Sequence, residues 1–398
     1  MKLYPLSLPQ QAMFLDALKY GDTAKFNMGA ISIVSGPFDT LLFQKSLEFA
    51  HRVHDVRRMR VHIDGEGAWQ EFLAPENSRY PFEEFDFSSH PDPIQSAIGW
   101  VLGDFSRPIP LEEGTLHGDI LFQLGVELYC WYQKFHHIAN DGHGLTIFNE
   151  TVVAAYNELH QNNRLPEFEQ HPYIDFVEED TLYAASSQFT KDDIFWSEKF
   201  QTLPQPLPFS ARKNGLKGDI LHTERCTLSV KREVYNSLVS RCNLMGVTPA
   251  QFLLACFFAY LHRFTGNEDI VIGTPILNRS NHVFRRTVGL FMGMMPLRIR
   301  IDKNETLFDL AAKIKAETRI CYRHQRFPYG EILRRCRSVD GFSHGIFDVT
   351  FVYRKLDFDL LFGGSPMRTI SLDLGVRDET LSIDVDDYNE AEAVNILF

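Results

Sequence analysis

Two adjacent histidines, His136 and His137, are followed by Asp141 and Gly142, and this group has the residue types for proton transfer or for positioning a nucleophile. Residues 126–135 are rich in aromatic and β-favouring side chains and predict a buried strand, whereas apolar residues after Gly142 recur at helical spacing. The histidines therefore lie where a strand ends and a loop begins. Successive strand side chains point to opposite faces, so we expect one histidine to project into a cavity and the other to be structural.

The loop itself is rich in glycine. Gly142 and Gly144 permit a tight backbone path that brings main-chain N–H groups close to a bound molecule. The carboxylate of Asp141 is placed to hold this loop in shape.

A metal site is the alternative interpretation of the same residues. His136, His137, Asp141 and His143 are all of types that bind zinc. Adjacent histidines at the end of a strand diverge, however, and do not easily reach one ion. We therefore expect no metal here.

Composition favours a well-packed protein of two lobes. The chain has 398 residues, more than one hydrophobic core usually supports, with 44% hydrophobic and 13% aromatic residues. Its net charge of -12 argues against nonspecific binding to nucleic acid or to anionic membranes. Two basic clusters, Arg57-Arg58-Arg60 and Arg334-Arg335-Arg337, are either local phosphate contacts or solvated basic edges.

Other common classes of site lack support in the sequence. The six cysteines show no CxxC spacing, which indicates reduced thiols and neither a zinc site nor a disulfide framework. Nucleotide-binding GxGxxG, Walker-type and GxSxG patterns do not occur. No apolar run reaches the roughly 18 residues that span a membrane, and the first residues do not form a signal peptide. We expect a cytoplasmic location.

The pattern His136-His137-x-x-x-Asp141-Gly142 resembles the HHxxxDG signature of condensation domains from nonribosomal peptide synthetases. Six further segments resemble family motifs in the family's order: residues 7–12 (SxAQxR), 53–58 (RHExLR), 173–176 (YxDF), 288–298 (VGxFVNTLPLR), 324–329 (HQDYPF) and 347–353. The series covers nearly the whole chain. It departs from the family at Ala12, where arginine is expected, and at Gly293 and Met294, which replace asparagine and threonine.

This resemblance implies an α/β, chloramphenicol-acetyltransferase-like fold, with two similar lobes in a V-shaped pseudo-dimer around a central tunnel. We place the lobes at residues 1–170, which carry the histidine motif, and 171–398. Because the chain ends early compared with family members, a truncated C-terminal end is one interpretation.

The resemblance also implies a reaction and assigns residues to it. A donor and an acceptor carrier protein would present an acyl group and an amine as phosphopantetheine thioesters, and the amine would attack the donor to form an amide. His137 would act as base or as amine-positioning group, and the Gly142 N–H would stabilise the oxyanion. His136 would be structural, and Asp141 would form a salt bridge with Arg279 across the lobes. Tunnel contacts are expected from His324, Phe291, Met292 and Met294.

No cofactor or metal of its own is implied, because the substrates arrive on the carriers' phosphopantetheine. An adjacent adenylation domain is expected, and the chain is expected to be a monomer. The residues around the histidine motif and residues 178–186 resemble initiating condensation domains more than elongating ones. Initiating domains take aryl or fatty acyl groups, as in siderophore and lipopeptide assembly, and the Met1 start with no preceding carrier segment agrees.

Three alternatives remain from the sequence. An elongating domain would take a peptidyl donor. An acyltransferase of the same fold would use a soluble amine, an alcohol or coenzyme A. An inactive interaction platform is disfavoured because His136, His137, Asp141, Gly142 and Arg279 are all present.

Overall fold

The computed structural model describes residues 2–21, 23–65, 67–78, 80–112, 114–207, 221–337, 339, 345–355, 360–377 and 379–398. In chain order its elements are β1 (Tyr4–Pro5), α1 (Leu8–Tyr20), β2 (Asn27–Ser35), α2 (Thr40–Val53), β3 (Met59–Asp64), β4 (Gly67–Phe72), β5 (Phe82–Asp86), α3 (Pro93–Phe105), β6 (His117–Gly125), β7 (Leu128–His136), α4 (Gly142–Asn162), α5 (Tyr173–Ala184), α6 (Ser187–Lys199), β8 (Leu221–His222), β9 (Thr227–Val230), α7 (Arg232–Leu244), α8 (Pro249–Thr265), β10 (Asp269–Ile276), β11 (Gly293–Arg300), α9 (Leu307–Cys321), α10 (Tyr329–Cys336), β12 (Val349–Arg354), β13 (Leu360–Phe362), β14 (Ser365–Ser371), β15 (Val376–Arg377), β16 (Leu381–Asp386) and β17 (Val394–Leu397).

The chain folds into two compact units, each with its own sheet. Unit 1 comprises Met1–Ala184, Arg279–Phe291 and Asp357–Leu374; unit 2 comprises Ala185–Asn278, Met292–Leu356 and Gly375–Phe398. The sequence placed a single boundary at residue 170, whereas the structure assigns α5 and two later segments to unit 1. These segments join it through side-chain packing and strand pairing, which a linear boundary does not capture.

Each unit is built on a six-stranded mixed sheet. In unit 1 the strand order is β13-β14-β2-β7-β6-β5, beside a small sheet β1-β4-β3. In unit 2 the order is β11-β10-β12-β16-β17-β9, with a two-stranded sheet β15-β8. The predicted α/β class is therefore confirmed. No single helix among the described residues is long and apolar enough to cross a membrane; α7 and α8, bent by 96° where they meet, pass that test only together.

The strand that leads to the histidines lies in the middle of the unit 1 sheet. β7 pairs with β2 on one side and β6 on the other. Trp131 faces α2 and α4, where it contacts Phe43 and Phe148. Tyr132 points to the opposite face and packs in the cluster that contains Phe105 of α3. Because helices cover both faces, β7 is buried along most of its length and its end is held firmly.

One basic cluster predicted from sequence lies inside unit 1 instead of at its surface. Arg57 is 5% exposed and pairs with Asp119, which also accepts a hydrogen bond from Trp131 Nε1 at 2.9 Å. Arg58 is 9% exposed and donates to four backbone carbonyls. The interpretation as phosphate contacts or as a solvated edge is wrong for these two residues, since their charges are satisfied internally.

Buried neutral histidines accompany these arginines. Burial, reinforced by the nearby Arg57 and Arg58 charges, lowers the pKa of His51 and of His54 to about 3. His54 Nε2 lies 3.0 Å from Thr151 Oγ1, so the neutral ring is part of the helix packing. Protonation of either ring would place a third positive charge beside two guanidinium groups.

These histidines predict acid-sensitive folding. Their folded pKa lies below the ordinary 6.5, so the unfolded chain binds more protons as pH falls. Stability is full above about pH 6.5 and is lost progressively towards pH 3, and at pH 5 each histidine costs about 2 kcal/mol. Urea unfolding at neutral pH and at about pH 5 measures this difference. We expect His54→Gln to reduce it by about 2 kcal/mol.

The matched control is His90→Gln, because His90 is exposed. This variant should keep the wild-type difference between the two pH values. Equal pH dependence for His54→Gln and wild type would contradict the role given to the buried ring.

Candidate active site at the end of β7

His137 is the partly exposed residue of a buried loop. It follows the last residue of β7, and residues 138–141 after it are buried. Its backbone N–H donates to Phe26 O at 2.8 Å, and its ring Nδ1 lies 2.9 Å from Asn140 O. A carbonyl can only accept, so Nδ1 carries the proton. The ring nitrogen left to accept a proton is therefore Nε2, as a general base needs.

His136 has a different environment. It is 3% exposed, its ring stacks on Phe26 with centroids 5.7 Å apart, and its Nδ1 accepts the Ile138 N–H at 3.0 Å. Burial, with a smaller contribution from His137, lowers the pKa of His136 to about 3. The ring is thus neutral and fixes the path of the loop.

Asp141 connects the loop to two other parts of unit 1. Its carboxylate is fully buried and caps α4, with Oδ1 accepting the Gly144 N–H at 2.7 Å. The same oxygen accepts from Arg279 Nη2 at 2.9 Å, and Oδ2 accepts the Phe291 N–H at 3.0 Å. One carboxylate therefore holds the start of α4 and both ends of the segment Arg279–Phe291.

The Arg279 side chain is 1% exposed, compared with 0% for that of Asp141. Its guanidinium donates to the carbonyls of Phe284, Thr287 and Gly289 and lies 4.0 Å from the centre of the Phe291 ring. The resemblance implied a salt bridge across lobes, but both residues of this pair belong to unit 1.

Arg279 belongs to unit 1 because of aromatic packing. The segment Arg279–Phe291 packs against α5 through Phe291, whose ring centroid is 4.2 Å from that of Phe176. Phe284 also contacts Phe176, at 5.4 Å.

The glycines of the loop differ in what they allow. A Cβ on Gly144 would lie 2.0 Å from Asn140 Oδ1 and 3.1 Å from Gly289 N, so any larger residue here would have to displace the Asn140 side chain. Gly289, which faces it, has φ +154° and leaves no room beside Tyr173. Gly142 has no neighbouring atom within 4 Å of a built Cβ. As the first residue of α4, it presents an N–H that has no acceptor within the helix, at the positive end of the helix dipole.

The remaining predicted site residues have varied positions. Phe291 is fully buried among aromatic side chains and supports the loop from inside the core. Met292 and Met294 are partly exposed and belong to unit 2. His324, also in unit 2, places Nδ1 2.7 Å from Asp192 Oδ1 and stacks on Phe195. A tunnel role for these side chains stays a prediction.

Gln10 supports the loop and was missed as a site residue. It is fully buried, and its Nε2 donates to Ile138 O at 3.2 Å and to Gln70 Oε1 at 3.0 Å. Its position within the SxAQxR-like segment is the sequence feature that could have identified it as a site residue.

Among the described residues, no group of three or more His, Cys, Asp or Glu side chains could hold a metal ion.

Comparisons with known proteins identify the family of this chain. Residues 1–376 match the family model for the condensation domain. The isonitrile lipopeptide synthase of Streptomyces coeruleorubidus is 28% identical over 394 residues, which cover 98% of this chain and 26% of that protein. The dimodular nonribosomal peptide synthase of Bacillus subtilis (strain 168) is 27% identical over 375 residues, covering 94% of this chain and 16% of that protein. The chain thus spans about a quarter of the first relative's length and about a sixth of the second's.

Solved structures show the same fold. The starter condensation domain of rhizomide synthetase RzmA, in a mutant complex with C8-CoA, superposes with a TM-score of 0.88 at 24% identity, covering 100% of this chain and 89% of that chain. The first condensation domain of the calcium-dependent antibiotic synthetase, in complex with a substrate analogue, gives 0.86 at 23% identity and covers 100% and 90% of the two chains. With its ordered motifs, its His137 loop and a family match over residues 1–376, the chain belongs to the condensation domain family.

Proposed function

We propose that this chain forms an amide bond by transferring an acyl group from a donor thioester to the amino group of an aminoacyl acceptor. The observation that carries the proposal is the His137 ring, whose Nδ1 donates to Asn140 O, so that Nε2 is the nitrogen left to accept a proton on a partly exposed side chain. Family membership supports the reaction class, because condensation domains catalyse amide-bond formation.

The chemistry requires orientation and one proton acceptor. The donor thioester is already activated, and an α-amine has a pKa near ~8, so a strong base is unnecessary. His137 Nε2 accepts the proton of the attacking amine or holds that amine in place, and the Gly142 N–H donates to the developing oxyanion. Positioning can supply up to about 7–11 kcal/mol of the barrier reduction. Asp141 and Arg279 contribute by holding the loop in shape.

A starter role and carrier-bound substrates are the finer parts of the proposal. Starter condensation domains bound to C8-CoA, and in one case also to Leu-SNAC, have this fold, which supports an acyl donor and an aminoacyl acceptor. In this proposal a donor and an acceptor carrier protein deliver both groups on phosphopantetheine, and an adenylation domain loads the acceptor. Relatives named lipopeptide and enterobactin synthases favour a fatty or aryl acyl group.

Removal of the His137 imidazole tests the central assignment. His137→Ala should lower amide formation by about 10²–10⁴-fold, because the proton acceptor is lost. Product formation from octanoyl-CoA and a leucine thioester, followed by mass spectrometry, measures the effect. His160→Ala is the matched control, since His160 is an exposed histidine near the other end of α4. Unchanged turnover of a folded His137→Ala variant would contradict the proposal.

Donor preference tests the starter role separately. With one acceptor carrier held constant, we expect turnover of fatty or aryl acyl carriers and little turnover of aminoacyl or peptidyl carriers. Preference for a peptidyl donor would instead identify an elongating domain and leave the amide-forming reaction intact.

The buried ion pair predicts a stability effect that is distinct from catalysis. Asp141→Asn leaves the Arg279 charge buried without its partner, which should cost about 3–5 kcal/mol of unfolding free energy. The double variant Asp141→Asn/Arg279→Met should lose less than the sum of the single variants, because the two residues are coupled.

Chemical denaturation measures these differences, and Arg334→Met is the control. Arg334 and Glu331 form an exposed pair on α10, so this change should alter stability by only about 0–1 kcal/mol. Additive effects of the Asp141 and Arg279 substitutions would show that the carboxylate and guanidinium do not act together.

A further inference from the structure

Two carboxamide side chains are buried in unit 1 without protein partners. Gln133 on β7 is 1% exposed and Asn149 on α4 is fully buried. In the part of the chain that the structure describes, neither the oxygen nor the nitrogen of either amide has a hydrogen-bond partner. Burying an amide in this way is costly, because the group gives up its hydrogen bonds to water. Apolar side chains of similar size would avoid that cost, so the two amides have hydrogen-bonding capacity that a polar group between them could use.

The two amides face the same space between strand and helix. β7 and α4 run in opposite directions on either side of the His137 loop. Leu145, one helical turn before Asn149, belongs to the same apolar cluster as Phe135, two residues after Gln133. Four helical residues rise about 6 Å and two strand residues about 6.7 Å, so the steps match. Asn149 therefore lies opposite Gln133.

An apolar cluster separates these amides from the histidine. Phe135, Leu145 and Ala30 form this cluster, and the partly buried Met28 packs against it. Met28 pairs with Phe135 near the His137 end of β7, whereas the small Ala30 pairs with Gln133. Methionine is the most adaptable of the apolar side chains and can move aside for a ligand. The space between β7 and α4 is thus lined by the adaptable Met28 near His137 and by the amides of Gln133 and Asn149 further along.

The spacing gives the length of a fitting ligand. Gln133 lies on β7 and His137 follows the last residue of that strand, four residues later, which corresponds to about 13 Å of extended chain. An extended chain covers that distance in roughly ten to twelve bonds. An acetyl group would not approach the amides.

Resting on the proposed amide-forming function, we propose that the donor acyl chain extends from His137 between β7 and α4 and carries a hydroxyl group at its far end, which Gln133 and Asn149 bind. Each amide offers one acceptor and one donor group, and a hydroxyl can donate to one amide oxygen while accepting from an amide nitrogen. The substrate class is a medium-chain ω-hydroxyacyl thioester. A site built to hydrogen-bond a hydroxyl discriminates strongly against the analogue that lacks it.

The test compares matched donors on wild-type protein and variants. The donors are pantetheine thioesters of ω-hydroxydecanoate and decanoate, and of ω-hydroxyoctanoate and octanoate, with one aminoacyl acceptor. We expect wild type to favour a hydroxylated donor in kcat/KM by about tenfold or more. Gln133→Met and Asn149→Leu, which keep side-chain volume, should each lower this ratio towards one, because the hydroxyl loses one of its two hydrogen-bonding amides.

The wild-type ratio is informative even if a variant fails to fold. A wild-type ratio near one with normal decanoyl turnover would overturn the hydroxyl assignment and leave the proposed function standing. A ratio that both folded variants retain would likewise show that these amides do not contact the donor. Absence of amide product with all four donors would overturn the proposed function itself, and the inference with it.

Discussion

The buried carboxylate of Asp141 is the interaction on which the site depends. It accepts hydrogen bonds from the first turn of α4, from the Arg279 guanidinium and from the Phe291 N–H. The first donor belongs to α4 and the other two are the ends of the segment Arg279–Phe291, so the carboxylate ties the loop to both parts of unit 1. A buried ion pair of this kind contributes geometry more than net stability. The same carboxylate thereby positions the loop that carries the His137 ring.

Two other buried carboxylates in unit 1 also accept N–H groups at the start of a helix. The Asp55 carboxylate accepts the N–H groups of Tyr173 and Ile174 at the start of α5, at 2.7 and 3.1 Å. Burial raises the pKa of Asp55, and the hydrogen bonds from these backbone groups oppose that rise. Asp180 accepts the Leu8 N–H at the start of α1, at 2.6 Å. Helix N-termini with their dipoles thus satisfy buried acids, and the acids in return set where the helices begin.

Local sequence patterns predicted much of unit 1, and long-range packing decided the rest. The aromatic and β-favouring residues of 126–135 predicted β7. The order of the motifs predicted the family, because each motif is local. Arg57 and Arg58 were misplaced because charge normally indicates exposure, whereas here distant acceptors, Asp119 among them, satisfy them. The assignment of Arg279 to unit 1 depends on contacts of Phe284 and Phe291 with α5, which are more than 100 residues away in sequence. The contact of Gln10 with Ile138 likewise joins residues 128 positions apart.

The hydrogen bond between His137 Nδ1 and Asn140 O has a consequence for the direction of proton flow. A carbonyl oxygen does not carry the proton onward, so the imidazole cannot pass it through the ring into the protein interior. In the proposed reaction, Nε2 must therefore release the proton that it accepts from the amine to the same side of the ring, where the substrates are bound. The departing pantetheine sulfur is the natural recipient there. Each catalytic cycle would then close within the bound substrates, with no net exchange of protons between the enzyme and its surroundings.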